Sequence, residues 1–146
     1  MKTLLLVDDE VEILNSIGEI LSRFGYRVIT MPDGASAMSV IRGGAKVDLV
    51  ITDYRMPGMD GLEFTLLLRQ ILPSVPVVML TAYGAVETYL KSHSLGVFEY
   101  VNKPIKASEL NRIVQAALES ANGSATARGN DKAGPAGPVS RQINQN

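Results

Sequence analysis

Residues 4–9 read LLLVDD, an apolar run of strand length that ends in two adjacent aspartates. Residues 49–53, LVITD, repeat this pattern with a single aspartate at the end. Neither run alternates apolar with polar residues, which is typical of strands buried on both faces of a parallel sheet. Ligands of open α/β sheets bind in the crevice beyond the carboxyl ends of the strands. The pattern therefore predicts that Asp8, Asp9 and Asp53 lie together in such a crevice.

Two further apolar runs place a hydroxyl and an amine at the same predicted edge. Residues 77–80, VVML, are followed directly by Thr81, and residues 98–101, FEYV, are soon followed by Lys103. Three acids, one hydroxyl and one lysine at the ends of neighbouring strands are suited to a divalent cation and a phosphoryl group. This combination is the most informative feature of the chain.

Helical spacing of apolar residues fills the intervals between the apolar runs. The predicted strands cover residues 4–7, 26–31, 48–52, 75–80 and 98–101. The first four predicted helices end near Gly25, Arg42, Leu72 and Leu95. The last predicted helix begins near Ala107 and ends at about Glu119. Five repeats of this size predict an α/β fold, a doubly wound parallel sheet with helices on both faces. The strand order 2-1-3-4-5 is a flavodoxin-like prediction, because alternation alone does not fix the order.

The bulk composition excludes several classes of protein. The chain has 146 residues, no cysteine and a formal net charge of −1. A domain of this length buries a core without disulfides, and no Cys-based metal or redox site is possible. The near-neutral charge provides no basic field for nucleic acid or anionic lipid, and the apolar runs are too short to cross a membrane. We therefore expect a cytoplasmic protein without direct nucleic-acid or membrane partners.

The composition changes near Ala121. Residues 121–146 contain no Leu, Phe, Tyr or Met and are rich in Gly, Ala, Ser, Asn and Gln. A segment of this kind cannot bury enough apolar surface to offset the entropy lost on ordering. We therefore predict one folded domain over residues 1–120 and a disordered tail over residues 121–146.

The chemistry of the predicted crevice follows from its charges. Carboxylates within a few ångströms of one another repel, so at least one pKa should rise unless a cation intervenes. Mg²⁺ prefers one or two carboxylates together with a backbone carbonyl, waters and phosphate oxygens. A carboxylate can also act as a nucleophile and accept phosphorus as an aspartyl phosphate. A metal ion and a lysine would then neutralise charge on the transferring group.

Four motifs carry a resemblance to a known family. They are VDDE at residues 7–10, DYRMPGMDG at 53–61, TA at 81–82 and YVNKP at 100–104. Each motif alone is modest evidence, but together, in this order and at strand ends, they are highly specific. Residues 4 to about 119 resemble the receiver domain of two-component response regulators.

The resemblance implies a set of roles around a metal ion. Asp53 would be the phosphoacceptor. Asp9, Asp53 and the backbone carbonyl of Arg55 would ligate Mg²⁺ directly, and Asp8 would act through water. The phosphoryl group would come from a histidine kinase or a phosphotransfer protein. A receiver of this kind catalyses only its own phosphorylation and dephosphorylation, so it is not expected to be an enzyme with an external substrate.

The resemblance also implies a conformational response. Lys103 would bind a phosphoryl oxygen, Thr81 and Tyr100 would form a switch pair, and the peptide bond before Pro104 would be cis. The downstream protein effector would bind the face made by the helix predicted over residues 85–95, the fifth strand and the last helix. Since no output domain follows in the sequence, we expect a stand-alone receiver, although the receiver of a regulator whose output domain is missing is the competing interpretation.

Two other classes fit the residues less well. A haloacid-dehalogenase-type phosphohydrolase also forms an aspartyl phosphate, but it needs Asp-x-Asp after its first strand, where this chain has adjacent aspartates. A flavodoxin-like electron carrier needs a Ser/Thr/Gly loop at the same place, and an acidic loop would repel the phosphate of FMN.

Overall fold

The structure, a computed structural model, describes residues 1–82, 91 and 93–126. The strands in these residues are Thr3–Val7 (β1), Arg27–Met31 (β2), Leu49–Thr52 (β3), Val77–Thr81 (β4) and Glu99–Asn102 (β5). The helices that the structure describes are Val11–Arg23 (α1), Gly34–Arg42 (α2), Gly61–Ile71 (α3) and Ala107–Thr126 (α4). Most of the helix predicted over residues 85–95 lies outside the described residues.

The five strands form one sheet in the order β2-β1-β3-β4-β5. Every neighbouring pair is parallel, with Leu5 of β1 opposite both Ile29 of β2 and Val50 of β3. The predicted order and the predicted α/β class are therefore confirmed. β1 and β3 lie side by side, which brings their carboxyl ends together.

Successive residues of each strand point into two separate apolar layers, because side chains alternate across a sheet. Leu4 and Leu6 of β1 pack in the layer that also contains the buried residues of α1 and α4. Leu5 and Val7 pack in the layer that contains the buried residues of α2 and α3. The central strands are buried on both faces, which explains why their sequences do not alternate.

Two of the helices that begin at the carboxyl edge, α2 and α3, are capped by side chains. Asp60 accepts a hydrogen bond from the backbone N–H of Glu63 at 2.9 Å, and Glu63 accepts one from the N–H of Asp60 at 3.0 Å. This reciprocal capping box fixes the start of α3. Asp33 caps α2 by accepting from the N–H of Ser36 at 2.7 Å. Both caps satisfy N–H groups that have no partner inside the helix.

The end of the last helix corrects one prediction. Residues 121–126, which the sequence placed in the disordered tail, continue α4 as far as Thr126. Lack of apolar residues shows that a segment cannot build a core, but it does not stop a helix that is already nucleated. Buried Leu110, Val114 and Ala117 anchor α4, so each added residue costs little. Residues 127–146 lie outside the described residues, and their disorder and the proposed domain limits stay predictions.

The amino-terminal edge of the sheet is held by one arginine and one aspartate. Arg69 of α3 donates from Nε to the carbonyl of Leu95 at 3.2 Å, from Nη1 to that of Val75 at 2.5 Å and from Nη2 to that of Gly96 at 3.1 Å. Asp48, before β3, accepts from the N–H of the first residue of β1 at 2.8 Å. The Arg69 bonds connect α3 to the segments that lead into β4 and β5, and the Asp48 bond connects the segment before β3 to β1.

Candidate functional site

Backbone hydrogen bonds one residue beyond the strands fix where the site residues begin. The N–H of Asp8 donates to the carbonyl of Met31 at 3.2 Å, and that of Asp53 donates to the carbonyl of Val7 at 2.9 Å. The N–H of Lys103 donates to the carbonyl of Thr81 at 2.8 Å. The site residues are therefore positioned by the rigid sheet rather than by the loops that follow it.

Lys103 lies between two buried carboxylates. Its Nζ is 2.7 Å from Asp8 Oδ2 and 3.4 Å from Asp53 Oδ2, while Glu10 Oε1 is 4.0 Å away. Asp8 is 2% exposed and Asp53 is 6% exposed, so neither carboxylate relies on bulk water. The shorter contact shows that Lys103 pairs more closely with Asp8 than with the predicted phosphoacceptor.

The three aspartates predicted from the sequence do form a cluster. Ligand oxygens of Asp8, Asp9 and Asp53 lie within 4.8 Å of one another, close enough to share one cation. Asp9 is exposed, and with Arg55 it lines a hollow of about 510 Å³ that opens towards solvent. Carboxylate oxygens beside an open, water-accessible position fit a hard divalent ion that keeps several waters.

The charges of the site perturb both partners of the central ion pair. Burial raises the pKa of Asp53, and the charge of Asp8 raises it further, against the opposing effect of the Lys103 ammonium. Burial would lower the pKa of Lys103, but the hydrogen bond to Asp8 and the charge of Asp53 raise it overall. Lys103 therefore stays protonated, whereas the fold disfavours the negative charge of Asp53 relative to water.

Two further groups hold the Asp53 carboxylate in place. Its Oδ1 accepts from the backbone N–H of Tyr54 at 2.7 Å. The hydroxyl of Thr81, a fully buried residue at the end of β4, also hydrogen-bonds this carboxylate and lowers its pKa. Asp53 is thus oriented from one side by its own strand and from the other by β4.

The structure shows the cis peptide bond that the resemblance implies before Pro104 and places Tyr100 on β5. Tyr100 lies on β5 opposite Met79, and Thr81 follows two residues later on the same neighbouring strand. The peptide bond between Lys103 and Pro104 is cis. Tyr100 is partly buried and packs in the layer with α2 and α3, so it is placed beside β4 rather than on the outer surface.

Gly61 is a site residue that the sequence reasoning missed. It is the first residue of α3, and the sequence analysis includes it only as the last residue of the motif at residues 53–61. A Cβ at this position would collide with the carbonyl oxygen of Asp53 and would lie 2.9 Å from the Cα of Tyr54. The Gly61 N–H also donates to the Tyr54 carbonyl at 2.7 Å. The available signal was a glycine inside a capped helix, where alanine is the better helix former.

Comparison with known proteins identifies the family. The family model of the response regulator receiver domain matches residues 4–115. The chain is 38% identical over 116 residues to the transcriptional regulatory protein GlrR of Escherichia coli, an alignment that covers 80% of this chain and 26% of GlrR. The chain thus spans about a quarter of the length of this relative.

Solved structures give the same result. The chemotaxis protein CheY4 of Vibrio cholerae is 29% identical with a TM-score of 0.76, over 80% of this chain and 98% of CheY4. The response regulator TrrA of Thermotoga maritima, solved in complex with Mg²⁺-BeF, is 35% identical with a TM-score of 0.73, over 80% of this chain and 99% of TrrA.

The family match decides between the classes that the sequence left open. Receiver domains are signalling domains and not classical enzymes. The match therefore favours the receiver interpretation over both the phosphohydrolase and the electron carrier. Within the residues that the structure describes, no helix is long and apolar enough to span a membrane. The acidic cluster, its lysine and the 2-1-3-4-5 sheet thus fit the result of the comparisons: this chain belongs to the response regulator receiver domain family of two-component systems.

Proposed function

We propose that this receiver accepts a phosphoryl group on Asp53 in a Mg²⁺-dependent reaction that the domain itself catalyses. One observation carries the proposal. Asp53 is a buried carboxylate that lies within 4.8 Å of two further aspartates and 3.4 Å from Lys103, at the carboxyl edge of the sheet. Clustering three acids, two of them buried, beside one base costs stability, so the arrangement is explained best by a cation and an anionic group that complete it.

The proposed ligands of Mg²⁺ are the carboxylates of Asp9 and Asp53 and the backbone carbonyl of Arg55, with Asp8 acting through water. When bound, Mg²⁺ neutralises charge on the transferring phosphoryl group. Asp8 also holds Lys103 in place through the 2.7 Å ion pair, so its second role is to position that ammonium.

The proposed reaction is an in-line transfer from a phosphohistidine. An Oδ of Asp53 forms a bond to phosphorus while the bond between phosphorus and the imidazole nitrogen breaks, and the electron pair stays on the imidazole. The Lys103 ammonium binds one phosphoryl oxygen, and the Thr81 hydroxyl donates to another. Hydrolysis reverses the modification when water attacks the same phosphorus, which returns the Asp53 carboxylate and releases phosphate.

The proposed phosphodonor is a histidine kinase or a phosphotransfer protein, and the proposed output is contact with a downstream protein. The candidate face comprises the helix predicted over residues 85–95, β5 and α4. Lys91 on this face is exposed, and Glu99 is partly buried. We propose that phosphorylation changes this face and that the domain has no direct contact with nucleic acid, in keeping with its net charge of −1.

Phosphate incorporation tests the assignment of Asp53. In the presence of Mg²⁺ and a small phosphodonor, the wild type should gain acid-labile, hydroxylamine-sensitive phosphate, and Asp53→Asn should gain none. Asp9→Ala should also lose labelling, because it removes a proposed metal ligand. Asp33→Asn is the matched control, since asparagine keeps the α2 cap and Asp33 lies outside the acidic cluster. Full labelling of Asp53→Asn would refute the assignment.

Affinity purification with and without beryllofluoride tests the output. A protein partner that is retained only with beryllofluoride supports the proposal. Retention of DNA, or a partner that binds only residues 127–146, contradicts it. The stand-alone interpretation stays a prediction, and the intact mass of the protein isolated from its own cells would check it.

A further inference from the structure

A groove of about 720 Å³ lies between the start of α2 and the exposed side of α3. Its apolar walls are formed by Pro32, Ala35, Met59, Leu66 and Leu67. Leu66 is 51% exposed, which is unusual for a large apolar side chain on a helix that packs on a sheet. A concave apolar surface of this size is typical of sites that bind small ligands or a few side chains.

The charged residues of the groove have one sign. Asp33 and Glu63 line it, and among the described lining residues there is no Lys or Arg. Both carboxylates are fixed by the caps of α2 and α3. The hydrogen bonds from Ser36 lower the pKa of Asp33, so this group stays ionised. Fixed negative charges beside an apolar surface favour an occupant that combines an apolar body with a cation.

The groove is separate from the acidic cluster but shares a wall with it. Pro57 and Gly58 line this groove and also the hollow that Asp9 and Arg55 line. The two cavities therefore lie on opposite sides of one loop. An occupant of the groove would contact the loop without contacting Asp8, Asp9 or Asp53.

We propose that this groove binds a partner protein through a short segment in which apolar side chains are flanked by Lys or Arg. The apolar side chains pack against Met59, Leu66 and Leu67. The basic side chains pair with the carboxylates of Asp33 and Glu63. Neither contact involves Asp53, so the groove is available in the unphosphorylated protein.

Methyl NMR on the full chain tests this proposal with a defined probe. The probe is the peptide acetyl-RLLR-amide, and the matched control is acetyl-ELLE-amide. The first peptide should shift the methyl signals of Ala35, Met59, Leu66 and Leu67 in a saturable manner and should bind at least about five-fold more tightly than the second. Neither measurement depends on phosphorylation, so the outcome is independent of the proposed function.

Conservative variants separate charge from fold. Glu63→Gln keeps the capping box, and Asp33→Asn keeps the α2 cap, yet each removes one charge from the groove. Each should weaken the binding of acetyl-RLLR-amide by about two- to three-fold, which is typical of an exposed ion pair. Ala35→Lys should abolish binding, because the lysine fills the groove and its positive charge repels the arginines of the peptide. Ser39→Lys should not, because Ser39 is an exposed residue of the same helix that does not line the groove.

Three outcomes of the peptide experiments would overturn the proposal. They are the absence of saturable shifts at millimolar peptide, equal affinity for the acidic peptide, and undiminished binding to Ala35→Lys. Shifts of the same methyl signals on simple concentration of the protein would also overturn it, because a second copy of the chain would then be the occupant.

Discussion

The two edges of the sheet bury polar groups in different ways. At the amino-terminal edge, the three guanidinium nitrogens of Arg69 each donate to a backbone carbonyl. At the carboxyl edge, the ammonium of Lys103 is shared unequally by Asp8 and Asp53, at 2.7 and 3.4 Å. The first edge is satisfied by the fold alone, and the second is not.

The difference supports the proposal that the amino-terminal edge is structural and the carboxyl edge binds the ligands. Burial lowers the pKa of Arg69, but the carbonyl dipoles around it solvate the guanidinium. At the carboxyl edge, three clustered carboxylates and one ammonium leave a formal charge of −2. That excess is equal and opposite to the charge of a divalent cation. An incompletely compensated cluster held on rigid strands is what a binding site requires, since a ligand can relieve it.

The largest effect is expected at the carboxyl edge, from Gly61→Ala. The added Cβ would meet the backbone of Asp53 and Tyr54, which cannot move without displacing the proposed phosphoacceptor. We expect a loss of about 3 kcal/mol in the free energy of unfolding, measured by urea denaturation. Gly18→Ala is the matched control, because its Cβ would lie 3.6 Å from Thr30 Cγ2, an ordinary contact, and should stabilise α1 by about 0.5 kcal/mol. Equal effects would show that the close approach at Gly61 is unimportant.

The next effect tests the amino-terminal edge. Arg69→Met should lower the free energy of unfolding by about 2 kcal/mol, because two partly buried hydrogen bonds to backbone carbonyls and one exposed one are lost. Phosphorylation of the folded protein should be unchanged, since this edge is remote from Asp53. Arg23→Met, which removes only an exposed ion pair with Glu19, should change stability by less than about 0.5 kcal/mol. A selective loss of phosphorylation in Arg69→Met would contradict the division between the two edges.

The third prediction has the opposite sign. The pKa of Asp53 is raised by folding, so its contribution to stability is present below its unfolded pKa and is lost as the pH rises through its folded pKa. Without Mg²⁺, Asp53→Asn should therefore be more stable than the wild type at pH 7, by about 1 kcal/mol. The difference should disappear as the pH falls towards about 4.

Denaturation curves at several pH values, with and without Mg²⁺, check this third prediction. Mg²⁺ should stabilise the wild type more than the variant, because the variant lacks one proposed ligand. A wild type that is more stable than Asp53→Asn at every pH would show that Lys103 compensates the carboxylate fully.

The sequence predicted the sheet and the cluster because both follow from strand ends. The positions of Asp8, Asp53, Thr81 and Lys103 depend only on where apolar runs stop. The unequal sharing of Lys103 could not be predicted, because it depends on distances of a few tenths of an ångström. The contacts of Arg69 could not be predicted for a related reason: its three acceptors are backbone carbonyls 6, 26 and 27 residues away, and a backbone carbonyl is present whatever the residue type.

The prediction that the last helix ends at about Glu119 was wrong for a different reason. Composition shows whether a segment can form a core of its own, but residues 121–126 extend a helix that is anchored by other residues. Local composition and long-range anchoring are independent, so the first could not reveal the second.

The smallest effect concerns coupling between Thr81 and Tyr100 across β4 and β5. If phosphate on Asp53 draws the Thr81 hydroxyl towards it and the Tyr100 ring then repacks, the two residues act on one conformational change. In a double-mutant cycle on beryllofluoride-enhanced partner binding, Thr81→Ala and Tyr100→Ala should be non-additive by at least about 0.5 kcal/mol. Additivity within error would show that Tyr100 only contributes packing.

The backbone bonds that position Asp8, Asp53 and Lys103 have a consequence for how this domain can be rebuilt. Each bond joins neighbouring strands, so none of the three side chains depends on the length of a connection at the amino-terminal edge. The turn between α2 and β3, where Gly43 and Gly44 are exposed, lies at that edge. A reporter domain or an epitope inserted there should leave the positions of these three side chains unchanged. The receiver could then carry an added domain without any redesign of the site.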